Sequence, residues 1–224
     1  MKYLAPLLLL VAACAAPPTS LPSETDLPPP RQPRDVVDEF FRLLDEEEYG
    51  AMDELVIDGH IPLLSLTEYD DPAEVAGALA DETQAGINFW RSFRAGIGGL
   101  TGAEMGEVTV VGERYTDIGT KAFVAVEVSW TGQATIHRLL LQRERTWMVD
   151  PLATFSPAVA SRLTASVGDL LGNPSKESDQ VLAALRAEVD SLSAATELWP
   201  AGVTSDEAKS ALERLTQLLR DSGP

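Results

Sequence analysis

The chain has 224 residues, with 45% hydrophobic and 23% charged side chains, which is ordinary for a globular protein. Its net charge of −18 is not ordinary: 35 acidic residues face 17 basic ones, 13 of them Arg. No basic stripe exists, which disfavours nucleic-acid binding and docking on anionic lipid through side chains.

In chain order, Met1-Lys2-Tyr3 gives a short positive start, and Leu4 to Ala13 is apolar apart from Pro6. Ten residues rise about 15 Å as a helix, roughly half of a hydrocarbon core, so the run is too short to span a membrane. A Lys, a short apolar run and small residues read as a secretory signal peptide, residues 1–13. Val11-Ala12-Ala13-Cys14 resembles the bacterial lipobox. That resemblance implies a diacylglyceryl group on the Cys14 thiol and cleavage just before it. Cys14 is the one cysteine of the sequence, so no disulfide can form within the chain. Two acyl chains make a stable anchor where one would be marginal. A plain secretory signal cut after Ala13 or Ala16 is the rival reading.

Residues 14–34 form the lipidated Cys and a Pro-rich linker. Pro17, Pro18, Pro22, Pro28, Pro29, Pro30 and Pro33 preclude a helix or a central strand. A polyproline spacer of this length reaches up to about 60 Å at ~3.1 Å per residue. Ala15 stands after the Cys, not the Asp that often retains lipoproteins at the inner membrane of enteric bacteria. An outer membrane is therefore the expected address where the source has one.

Ordered structure is expected from Asp35. Val36, Val37, Phe40, Phe41, Leu43 and Leu44 recur at helical spacing behind Asp35 and Asp38. Gly50 is expected to mark a break. A short helix then carries Ala51, Met52, Leu55 and Val56, and His60 to Leu64 reads as an apolar loop or turn. Asp70-Asp71-Pro72 starts a helix over Ala73 to Phe93, with Val75, Leu79, Ile87 and Trp90 as core. Gly96, Gly98, Gly99 and Gly102 end it. The period then changes from 3.6 to 2. Strands are expected at Glu107 to Arg114, Thr120 to Trp130, Gln133 to Arg143, and from Trp147 to Val149. Thr131-Gly132 and Glu144-Arg145 supply turns of an antiparallel meander. From Pro157 the chain turns helical. One helix carries Val159, Leu163, Val167, Leu170 and Leu171. A second carries Val181, Leu185, Val189, Leu192 and Trp199. A third starts at a Thr204 to Glu207 capping box and pairs with the second as a hairpin.

These elements predict an α+β fold: N-terminal helices on a curved antiparallel sheet over residues 35–155, then a C-terminal α-helical hairpin within a helical extension at 156–224. The opening helix Val36 to Leu44, the strand Lys121 to Val128 and the end Arg145-Thr146-Trp147-Met148-Val149-Asp150 resemble the nuclear-transport-factor-2-like (ketosteroid-isomerase-like) cone fold. The resemblance implies a pocket between sheet and helices. Some relatives are isomerases or dehydratases with an Asp or His in the cone, often beside a Tyr. Asp150, His137 and Tyr115 are the candidate catalytic groups, with Glu127 and Tyr69 as further possibilities. A carboxylate raised by apolar walls could abstract a proton beside a carbonyl while a Tyr donates to the oxyanion. Each candidate also has a plain structural role: His137 alternates with Leu139 and Leu141, and Asp150 could cap a turn. No family motif picks out a catalytic residue.

Trp90, Trp130 and Trp147 are candidates for lining a ligand pocket or filling a core. His60 and His137 lack metal-ligand spacing, and Asp45-Glu46-Glu47-Glu48 lacks the alternating oxygens and central Gly of a calcium loop, so neither a metal site nor a cofactor is expected. Trp199 could dock on a partner or pack at home. The expected function is a ligand- or protein-binding or scaffold module, tethered to a membrane by its lipid. An envelope protein or a small apolar ligand is the expected partner. A cone isomerase or dehydratase is the alternative.

Overall fold

A computed structural model describes residues 31–69, 71–98, 107–115, 119–130, 133–143, 145–199 and 204–223; the side chains of 97, 98, 130 and 133 stand outside that description. The expected leader, Cys14, most of the linker, the Thr131-Gly132 turn and the side chain of Trp130 therefore lie outside the described residues. Arg31–Pro224 forms one compact unit.

The fold is α+β. Helix α1 (Pro33–Asp45) opens with Pro at its first position and presents Val36, Val37, Phe40, Phe41, Leu43 and Leu44 as one buried face. It ends at Glu46–Glu48, where Glu47 takes a positive φ of 60°, so the break precedes Gly50. A 3-10 turn (Tyr49–Glu54) replaces the expected short helix. Val56 then makes a parallel bridge to Val149, so this segment lies along the last strand of the sheet.

Two further boundaries differ from the sequence pattern. His60 to Leu64 is not a loop but helix α2 (His60–Ser65), entered from Gly59 at a φ of 79°. A left-handed entry suits glycine, and Pro62 sits in the first turn where its missing N–H costs nothing. The single long helix expected from Ala73 is two: α3 (Pro72–Ala80) and α4 (Glu82–Gly98). Asp71 caps α3 through the Ala73 amide. Asp81 leaves the helical region at φ −145° and ψ 88°. That bend lets Glu82 accept the Gly59 N–H and fix the entry to α2.

Strands β1 (Val108–Tyr115), β2 (Lys121–Trp130), β3 (Gln133–Arg143) and β4 (Trp147–Val149) form a four-stranded antiparallel sheet in sequence order. The β1 register slips between Val110 and Gly112, so Val111 is an extra, exposed residue and the strand carries a bulge. The period of 2 divides the sheet cleanly. Val124, Val126, Leu139, Leu141 and Val149 face α1, the 3-10 turn and Trp90 of α4. Phe123, Ala125 and Leu140 face the other way, against helices from the second half of the chain.

Among the described residues the second half of the chain holds four helices, where a helix and a hairpin were expected. Helix α5 (Pro151–Gly172) starts six residues before Pro157, because Asp150 caps the Ala153 amide and Pro151 takes the first position. The stripe from Val181 to Trp199 breaks at Glu188 into α6 (Lys176–Ala187) and α7 (Val189–Leu198). Helix α8 (Asp206–Asp221) is capped by Ser205, whose hydroxyl accepts the Ala208 N–H at 3.1 Å. The cap is thus one residue later than the Thr204 to Glu207 box, and Thr204 is buried instead. Sheet and helices are clamped at one corner. Trp199 packs edge-on against Phe123 at 5.9 Å, and Arg114 of β1 donates to the Leu198 carbonyl at the end of α7. Trp199 therefore packs on its own sheet.

Candidate functional site

The candidate residues fall into three separate environments. Register places Tyr115 opposite Ala122, Ala122 opposite Leu141, and Leu141 opposite Val149, so Tyr115 and the neighbourhood of Asp150 share one end of the sheet. His137 pairs with Val126, four residues along β3 from Leu141, or roughly 13 Å toward the other end. The faces differ too. His137 alternates with Leu139 and Leu141 and faces α1, lying 6.2 Å from the Phe41 ring and 6.3 Å from Phe93. Asp150 follows Val149 and turns to the opposite side. The three groups do not converge.

Tyr115 donates to Glu113 at 2.5 Å and meets the Trp147 ring at 5.9 Å. Burial and then the Glu113 carboxylate push its phenol up to about 12, so it stays protonated. His137 shares a 2.8 Å hydrogen bond with the Thr135 hydroxyl. Burial, and then the Arg138 charge, hold its pKa below the usual histidine value. Glu127 is partly buried and points to the face opposite Val126 and Val128. Trp90 and Trp147 are both core residues rather than the walls of an open pocket. Trp90 is enclosed by Phe40, Phe89 and Phe93, with ring centroids at 5.2, 4.8 and 5.9 Å.

The densest charge cluster centres on a residue the sequence pattern left aside. His60 is fully buried, at 0% exposure, in the first position of α2. Its Nε2 is 2.9 Å from Glu188 Oε2, and its Nδ1 is 3.0 Å from Asp150 Oδ1. The Glu188 contact is a hydrogen bond. The hydrogen on Nδ1 is not aligned with Asp150, so that contact is an ion pair. Burial by itself would lower the imidazole pKa; Asp150 and Glu188 outweigh it and raise it to about 9. His60 is therefore an imidazolium at neutral pH, between two carboxylates. The cluster joins the start of α2, the cap of α5 and the break between α6 and α7. Spacing could not reveal it, because His60, Asp150 and Glu188 come from distant parts of the chain. The one available signal was a His in an otherwise apolar run.

His60 and Asp150 are out of solvent and Glu188 is one-third exposed, so the contacts join helix termini around a buried imidazole. Among the described residues, no group of His, Cys, Asp and Glu is arranged to hold a metal ion, and no helix is long and apolar enough to cross a membrane. The open concavities lie elsewhere. One, of about 420 Å³, runs between α2, α4 and α5 over Phe89, Phe93 and Phe155. Another, of about 220 Å³, is lined by Asp53, Asp58 and Glu82 near the start of α4.

Comparison with protein-family models, curated proteins and solved structures finds no match for this chain.

Proposed function

We propose that the chain is an exported bacterial lipoprotein whose folded body is a binding or scaffold module at the cell envelope. Cleavage before Cys14 and acylation of its thiol anchor the mature protein. The Pro-rich linker holds the body away from the bilayer, and the body faces the periplasm or the exterior. The outer membrane is the address where the source has one.

The observation that carries the binding reading, against a cone enzyme, is the burial of the apolar side chains between α1 and the sheet. Phe40, Phe41, Leu44, Trp90, Leu139 and Leu141 are all at most 1% exposed there. A cone isomerase or dehydratase needs an acid or base aimed into an open, apolar-walled cavity. Asp150 is instead paired to His60 and the Ala153 amide, and Tyr115 is paired to Glu113. The cone resemblance is supported by element order: α1 packs against one face of a four-stranded antiparallel meander.

Fractionation of cells expressing the parent and Cys14→Ala tests the anchor. The parent is expected in the detergent-soluble membrane fraction, and the variant is expected to lose acyl labelling and lipoprotein-type extraction. Equal acyl labelling of both chains would contradict the proposal.

A further inference from the structure

The groove between α2, α4 and α5 has a floor of three phenylalanines. Phe155 lies 5.3 Å from both Phe89 and Phe93, ring to ring. Leu64 and Val159 extend the apolar wall. Its volume of about 420 Å³ falls within the range of small-molecule pockets. Tyr69, 44% exposed, lines the groove together with Glu68. It also lines a second cavity of about 260 Å³, together with Asp169. Among the described residues, the charged side chain lining each cavity is a carboxylate: Glu68 in one, Asp169 in the other. Neither cavity is lined by an Arg or Lys to receive an anion.

We infer that these adjoining cavities bind a small amphiphile with one alkyl chain and an ammonium head. The alkyl chain lies over Phe89, Phe93 and Phe155. The head sits on the Tyr69 ring between the Glu68 and Asp169 carboxylates. An aromatic face attracts an ammonium through its quadrupole, and the two carboxylates add direct attraction. An anionic head would meet both carboxylates within a chain of net charge −18. The inference rests on reading the folded body as a binding module and names the ligand class of that module; it does not depend on the lipid anchor.

The test is calorimetric titration of the chain from Ala15 onward with decyltrimethylammonium, decyl sulfate and decyl maltoside, each well below its micelle-forming concentration. Trp90 gives a second readout, because its ring is 4.8 Å from Phe89 on the groove floor. Expected is saturable one-to-one binding of the ammonium with a shift in tryptophan emission, and much weaker binding of the sulfate. Glu68→Lys should weaken the ammonium by about tenfold and leave the maltoside unchanged. Ala158→Trp, at an exposed α5 position lining the groove, should abolish binding with little change in thermal midpoint. Equal binding of sulfate and ammonium overturns the inference, as does absence of saturable ammonium binding, or full binding by Ala158→Trp. Any of these removes the ligand, while acyl labelling of Cys14 in the full chain, measured separately, decides the anchor.

Discussion

His60 Nε2 and Glu188 Oε2 lie 2.9 Å apart although 128 residues separate them in the chain. With Asp150 on the other ring nitrogen, this contact ties together three helix termini that no local sequence rule connects. Desolvating His60 and Asp150 is unfavourable unless they pair well, so losing one partner is expensive.

The triad makes stability depend on alkaline pH. The folded pKa of His60, about 9, exceeds its ordinary value of 6.5. Folding therefore takes up a proton between these values. The stabilisation is complete below about pH 6.5 and disappears as pH rises through 9. The gap corresponds to about 3 kcal/mol. Denaturant midpoints should fall between pH 7 and pH 10 for the parent and much less for His60→Gln. Parallel pH profiles would show that the imidazole is not charged in the folded state.

Asp150 has two separable roles. Asn caps helices nearly as well as Asp, so Asp150→Asn removes the charge and keeps the cap, whereas Asp150→Ala removes both. Asp150→Asn should lower the His60 pKa, read by NMR titration of the ring. Asp150→Ala should cost a further ~1 kcal/mol in urea unfolding. Identical unfolding curves for the two variants would mean that the cap contributes nothing.

Full burial among aromatic rings makes Trp90 structural. Truncating a buried Trp costs about 3–5 kcal/mol, so Trp90→Ala should lower the thermal midpoint by about 10 °C. A loss near 1 °C would indicate a roomy cavity beside the sheet and would revive the enzyme reading.

The start of α8 offers a test of position. Ser205→Ala should cost about 1 kcal/mol as a lost cap. Thr204 is buried and its hydroxyl has no partner among the described residues, so Thr204→Val should be neutral or stabilising. The reverse ranking would restore the cap to Thr204.

Local periodicity told most about elements whose surroundings are simple. Strand β3 runs over Gln133–Arg143 as its alternation implies, and α1 buries the stripe visible in the sequence. Helix breaks were harder to see. Asp81 and Glu188 interrupt apolar stripes that continue in register, so spacing alone joined α3 to α4 and α6 to α7. Each break is held by a contact the sequence hides: Glu82 bonds Gly59, and Glu188 bonds His60. The candidate site followed the same rule. Asp150, His137 and Tyr115 were recognisable as chemically able groups. Their division between two faces and two ends of the sheet depends on register, which composition does not encode. The second helical layer was legible as amphipathic stripes, but its partner, the Phe123 and Leu140 face of the sheet, was not. A strand buried on both sides still reads as simple alternation when small residues such as Ala125 fill its second face.

The most direct measurement is the intact mass and N-terminal fragmentation of the mature protein extracted from membranes. The mature chain is expected to begin at Cys14 and to carry a diacylglyceryl thioether on that sulfur. A mature chain beginning at Met1, Ala15 or Pro17, or an unmodified Cys14, would contradict it.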